Sequence, residues 1–259
     1  MRKKTSNQDL HWSRQAASYD EIFLDPYGPQ VENPLWAALD QIDDPANKTV
    51  ADLGCGTGPL LPHLIERFGK VVALDFAASM IKHAQERLGP ERVHRVVFEK
   101  RPMYELDDHA GQFDVALTIN SLVMPDVRDI DRTLRAIRAS LKPGGVFLGI
   151  VPSMDAIHYH TMLVLDHALQ EGASLEEAET RASLHVEHAH YDFTFGRFRF
   201  RGLRQKFWQP FEVEYRFAKA GFTSVSLAKV LYPWDENLPC SESLSLQPRS
   251  WDWFFRATP

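Results

Sequence analysis

Between residues 48 and 151, short runs of apolar and β-branched residues alternate with stretches in which apolar positions recur every three or four residues. Thr49–Leu53, Lys70–Leu74, Val93–Phe98, Phe113–Ile119 and Gly145–Val151 are of the first kind and read as buried strands. Leu60, Leu64 and Phe68 stand four apart with Leu61 and Ile65 beside them, the spacing of a helix with one buried face. Ile130, Leu134, Ile137 and Leu141 repeat the pattern, and Lys142-Pro143-Gly144-Gly145 then halts it, since proline cannot continue a helix. Such alternation predicts a parallel sheet joined by crossover helices.

The flanks read differently. Gln8–Phe23 and Glu32–Ile42 have helical patterns ahead of the alternating region. After it, Asp155–Gln170 and Leu175–Ala189 read as two helices broken at Gly172, and Phe193–Phe200 as an exposed strand or hairpin. Lys206–Ala220 reads as a helix ended by Gly221, Thr223–Val230 as a sixth strand and Trp251–Arg256 as a seventh. Four parts are expected: a helical lid over 1–47, the alternating core over 48–151, a cap insertion over 152–204, and a return to the core over 205–259.

Composition narrows the partners. The chain of 259 residues is 44% hydrophobic and carries a formal net charge of −6, so it has no broad basic field to hold nucleic acid. The basic start, Met1-Arg2-Lys3-Lys4, runs into polar residues rather than an apolar segment and does not read as a secretory signal. The longest apolar run, Val146 to Val151, is far too short to cross a membrane. Cys55 and Cys240 are the only cysteines and imply no disulfide framework. A cytoplasmic protein with a small-molecule partner is expected, with no nucleic acid and no membrane.

The first strand runs into Val50-Ala51-Asp52-Leu53-Gly54-Cys55-Gly56-Thr57-Gly58. Glycines at alternate positions let the backbone turn sharply and approach a ligand lying over the strand ends. Asp75 ends the second strand 17 residues after Gly58, where a carboxylate can accept both hydroxyl hydrogens of a ribose. Gly-x-Gly-x-Gly departs from the dinucleotide fingerprint, which wants a glycine where Pro59 stands. Asp52 would repel a pyrophosphate but favour a ligand carrying a sulfonium and an ammonium. Both features count against a nicotinamide dehydrogenase.

Val50 to Gly58 resembles the first motif of class I S-adenosylmethionine-dependent methyltransferases, and Val71-Val72-Ala73-Leu74-Asp75 the second. Phe113-Asp114-Val115-Ala116-Leu117 resembles the fourth-strand motif, and Leu141-Lys142-Pro143-Gly144-Gly145 the turn before the fifth strand. The resemblance implies an α/β fold: a Rossmann-like, seven-stranded, mostly parallel sheet with helices on both faces and an antiparallel last strand. It implies S-adenosylmethionine as cofactor, with Asp52, Gly54, Gly56 and Gly58 along its methionine half and Asp75 at the ribose. Phe76 and Met103 would meet the adenine and Asn120 the sulfonium end, while Tyr19, in the segment that also holds Trp12, would close over the site. Where the family usually has an acidic residue after the third strand, this chain has Pro102 followed by Met103.

The insertion is rich in histidine and aromatic residues, and a histidine near the acceptor suits general-base work because its ordinary pKa is close to neutral. His158 and His160, nearest the fifth strand, are the candidates. His185 and His188 stand three apart, but no carboxylate–histidine set accompanies them and no metal is expected. The expected activity is methyl transfer to a small-molecule acceptor by a monomer or homodimer. The alternatives are a methyltransferase for protein or nucleic acid, or a non-catalytic module that binds S-adenosylmethionine.

Overall fold

The computed structural model describes residues 25–185, 191–200, 203–234 and 244–259. Its centre is a seven-stranded sheet in the order β3-β2-β1-β4-β5-β10-β9. The strands are β1 (Thr49–Leu53), β2 (Lys70–Asp75), β3 (Val96–Lys100), β4 (Phe113–Ile119), β5 (Leu141–Val151), β9 (Ser224–Tyr232) and β10 (Ser250–Thr258). β1 to β5 run parallel, and β10 runs antiparallel to both β5 and β9. The expected α/β fold is the one formed. Strand order reverses direction between β1 and β4, and the carboxyl ends of an open parallel sheet leave a crevice at such a switch.

Period-two alternation along the strands sorts the core into two layers. Val50, Val71, Ala73, Val115, Leu117, Leu148 and Ile150 face one way. They meet Leu35 and Leu39 of α1 (Pro34–Asp40), Leu61, Leu64 and Ile65 of α2 (Leu61–Arg67), and Ala84 and Leu88 of α3 (Ala78–Leu88). Ala51, Val72, Leu74, Ala116, Phe147 and Val151 face the other way. There they meet Ile130, Leu134 and Ile137 of α4 (Val127–Ser140) and Val213 and Phe217 of α7 (Pro210–Ala220). Phe147 sits among Phe217, Phe222 and Phe255 with ring centroids 4.8–5.8 Å apart, which locks β5, α7 and β10 together.

Several expected boundaries shift for local reasons. Val93–Arg95 forms a 3-10 turn, because β2 offers partners to β3 only from Val96 onward. Leu141 is not the last apolar position of the preceding helix but the first residue of β5, where it pairs with Phe113 before the register shifts across Pro143-Gly144-Gly145. Pro59 lies in the turn before α2, and Pro62 occupies the first turn of the helix. The last large helix begins at Pro210 rather than Lys206, since the extended Gln209 precedes a proline whose fixed φ suits a helix start.

The insertion forms α5 (Met154–Gln170) and α6 (Leu175–His185), packed on one another and separated at Gly172, which has φ 88°. A separate antiparallel sheet follows, made of β6 (Tyr191–Asp192), β7 (Arg197–Phe200) and β8 (Leu203–Lys206). β6 and β7 form a hairpin where an exposed strand or hairpin is expected over Phe193–Phe200, and β8 adds a third strand to it. Residues 186–190, the end of the second helix expected there, lie outside the described residues, as do Gln8–Phe23 of the expected lid.

Buried side chains tie the small sheet to the loop after β4. The Lys206 backbone donates to Val123 O at 2.8 Å, and Trp208 Nε1 donates to Leu122 O at 2.8 Å. Lys206 Nζ is buried and pairs with Glu212 at 2.5 Å and with Phe195 O at 2.8 Å. Among the described residues, no helix is long and apolar enough to cross a membrane.

Candidate active site

At the carboxyl end of β1 the chain turns through Gly54, Gly56 and Gly58, with φ of 76°, 54° and 74°. Only glycine takes up this left-handed region without strain, but the surroundings of the three differ. A β-carbon on Gly54 would stand 2.6 Å from the Ser121 Cβ, and one on Gly58 would stand 2.8 Å from the Ala84 Cβ. These two glycines therefore let the loop pack against β4 and α3. A β-carbon on Gly56 would meet nothing within 4 Å. Gly56 is the member of the loop that borders open space, where a ligand can approach the backbone.

Both acidic residues expected in the site sit beneath this loop and are buried. Asp75 Oδ2 accepts the Gly56 N–H at 3.1 Å, and Asp75 Oδ1 accepts the Ala77 N–H at 2.8 Å. Burial, with the neighbouring Asp75 charge added, pushes the Asp52 pKa up to about 7, and no group among the described residues lowers it. A carboxylate kept this way without a cation is costly, and a cationic ligand would relieve it. The same burial and the two aspartates raise the Cys55 thiol well above its ordinary range, so Cys55 is no nucleophile.

The far wall of the crevice is the end of β4. Ser121, which the sequence reading missed, faces three carbonyls: Ile119 O at 3.0 Å, Gly54 O at 3.2 Å and Leu53 O at 3.3 Å. It accepts from Thr118 Oγ1 at 3.1 Å, so it clips the glycine loop to β4. Met103 lies beside the loop, its sulfur 3.4 Å from where a Gly54 β-carbon would be. Phe76, directly after Asp75, packs on Ala77 and Met80.

Asn120 adopts a left-handed backbone with φ 50°, and its N–H donates to Ile150 O at 2.8 Å. Its Nδ2 donates to Asp252 Oδ2 at 3.3 Å, while its Oδ1 is buried without a hydrogen-bond partner among the described residues. Asp252 also accepts from Tyr232 Oη at 3.0 Å and from the Ser153 N–H at 3.3 Å. Burial lifts the Asp252 pKa to about 6 against the lowering effect of these three donors, and raises the Tyr232 phenol.

Eight of the predicted residues lie at or just past the carboxyl ends of β1 to β4: Asp52, Gly54, Gly56, Gly58, Asp75, Phe76, Met103 and Asn120. Tyr19 lies outside the described residues. His158 and His160 stand apart on α5. His158 is exposed and stacks on Phe193 with centroids 4.6 Å apart, and His160 lies against Trp234 at 5.5 Å. Around them is an aromatic cluster in which Tyr159 faces Trp251 at 5.4 Å, Trp251 meets Trp253 at 6.1 Å, and Lys229 Nζ lies 3.4 Å from the Trp251 ring centre. Asp252 and Tyr232 escaped the sequence reading. The one available signal was a carboxylate between two tryptophans on a strand.

This sheet order and glycine crevice define a class I methyltransferase fold. Residues 50–145 match the family model described as methyltransferase domain. The chain is 38% identical over 92 residues to the magnesium-protoporphyrin O-methyltransferase of Rhodobacter capsulatus, covering 36% of this chain and 40% of that protein. It is 30% identical over 118 residues to the ubiquinone biosynthesis O-methyltransferase of Acinetobacter baylyi, covering 44% and 48%. The chain spans between 30% and 52% of the length of the first curated relatives it matches. Among solved structures, the 1,6-didemethyltoxoflavin-N1-methyltransferase of Burkholderia thailandensis superposes with a TM-score of 0.61 at 19% identity, over 97% of this chain and 88% of that one. A methyltransferase from Methanosarcina mazei superposes with a TM-score of 0.61 at 15% identity, over 87% and 97%.

Proposed function

We propose that this chain transfers the methyl group of S-adenosylmethionine to a small-molecule acceptor. The observation that carries the reading is Asp52: a buried, uncompensated carboxylate beside Asp75, under the open Gly56. A pyrophosphate would meet two acidic groups there, whereas a cationic nucleoside removes the cost of burying them. Asn120 Oδ1, an acceptor with no donor among the described residues, suits the same positively charged ligand.

Asp52 with Gly54, Gly56 and Gly58 would hold the methionine half, and Asp75 the ribose. Phe76 and Met103 would border the adenine, Asn120 the sulfonium end, and Tyr19 the lid side. When bound, S-adenosylmethionine supplies the methyl group together with its leaving group. The protein's own share is alignment and exclusion of water. The segment 152–204 serves as a cap, and its Tyr159, together with Trp234 and Trp251 from the C-terminal part, offers planar surfaces to an apolar acceptor. His158 and His160, on α5 beside that aromatic cluster, are the candidates for taking the proton. Relatives named for O-methylation of magnesium-protoporphyrin and in ubiquinone biosynthesis support a small acceptor, as does the net charge of −6. The protein is proposed to work in the cytoplasm as a monomer or homodimer.

Calorimetry with S-adenosylmethionine and S-adenosylhomocysteine, followed by a screen of small-molecule acceptors with methyl-labelled cofactor, tests this directly. Saturable binding and label transfer are expected. A chain that binds neither nucleoside, or binds NAD instead, refutes the reading; binding without transfer to any acceptor class would favour the non-catalytic module.

A further inference from the structure

Asp252 is 132 residues from Asn120 in sequence, yet both stand at the same end of the sheet. β10 runs antiparallel to β5 with Trp253 opposite Val151, so Asp252 falls just past the end of β5, beside Ser153. Each of its contacts is a neutral donor: Tyr232 Oη, Asn120 Nδ2 and the Ser153 N–H.

A carboxylate only accepts hydrogen bonds, whereas a carboxamide has one accepting end and one donating end. Facing Asp252, Asn120 must present Nδ2, and its Oδ1 is then turned away from that partner. Flipping the amide would set Oδ1 against a carboxylate oxygen and expose two N–H donors in its place. Leaving a buried carbonyl oxygen unpaired is costly, so the arrangement stabilises the protein only when something electropositive arrives. Asn120 also holds a left-handed backbone that few side chains tolerate, and Ser121 beside it is clipped to Gly54. The Asn120 backbone is therefore held next to the glycine loop.

Resting on the methyltransferase reading, we propose that Asp252 is a positioning residue of the transfer centre, fixing the Asn120 carboxamide so that Oδ1 is offered as an acceptor to the methylsulfonium end of the crevice. The consequence is selectivity. A bound molecule with a methylsulfonium gains from Oδ1, and one with a neutral thioether does not. Substrate is held in preference to product by the same contact.

The test compares binding of S-adenosylmethionine and S-adenosylhomocysteine by calorimetry in the full chain, for Asp252→Asn, Asn120→Ala and the double variant. In both single variants S-adenosylmethionine is expected to weaken about ten-fold, while S-adenosylhomocysteine changes less than two-fold. The double variant should lose no more than Asn120→Ala alone, because Asp252 acts through Asn120. Equal weakening of both ligands, or additive losses, would show a merely structural role and overturn the proposal. Should Asp252→Asn fail to fold, as judged by its melting curve, Asn120→Ala still decides: unchanged selectivity there refutes it. A wild-type chain that binds neither ligand refutes the methyltransferase reading itself, a different result from binding without selectivity.

Discussion

Asp75 Oδ2 lies 3.1 Å from the Gly56 backbone nitrogen and accepts its hydrogen. One carboxylate thus shapes the glycine loop, and each of its oxygens can accept two hydrogens. Asp75→Ala is expected to weaken S-adenosylmethionine binding by about 1–3 kcal/mol, and Asp75→Asn by less. Titration calorimetry reads the difference, and undiminished affinity in the alanine variant would remove Asp75 from the ribose.

The loop glycines should separate by phenotype. Gly56→Ala meets no neighbour within 4 Å, so it should fold with only the strain of its φ of 54°, about 1 kcal/mol, and lose ligand binding. Gly54→Ala drives a methyl group to 2.6 Å from Ser121 and should lower the melting temperature much further. Thermal melts paired with binding on both variants check this; equal melts would mean that Ser121 gives way freely.

Asp52 sets a pH dependence. Its pKa is about 7 in the fold against an ordinary 3.8, so the ligand-free fold holds the proton more tightly than the unfolded chain does. The stability this contributes is complete below pH 4 and is lost as pH rises toward 7. Asp52→Asn should therefore gain on the order of 2–4 kcal/mol over the wild type at pH 8 without ligand, and little at pH 4. In the wild type, affinity for the cationic nucleoside should rise between pH 6 and 8 as Asp52 ionises. A melting temperature for Asp52→Asn that tracks the wild type across this range would contradict the assignment.

The aromatic cap makes a fourth expectation. Trp251 faces Tyr159 at 5.4 Å and carries Lys229 over its ring. Once an acceptor is known, Trp251→Ala should raise its KM about ten-fold or more, from lost stacking, with cofactor affinity unchanged. A variant whose acceptor KM stays at the wild-type value would move the acceptor elsewhere.

What the sequence determined by itself is whatever depends on neighbours along the chain. Period-two and period-four apolar spacing gave β1, β2, β4, α2 and α4, because each element must bury one face. Asp52, the glycines and Asp75 were legible because they lie within a single strand–turn–helix–strand unit. Only the tertiary structure decided that Gly54 is required by Ser121, that Gly56 borders open space, and that Asn120 meets Asp252. Those contacts depend on strand order and on the antiparallel register of β10, which no local pattern encodes. A slip of one residue in that register would turn Asp252 to the opposite face and leave Asn120 free to rotate.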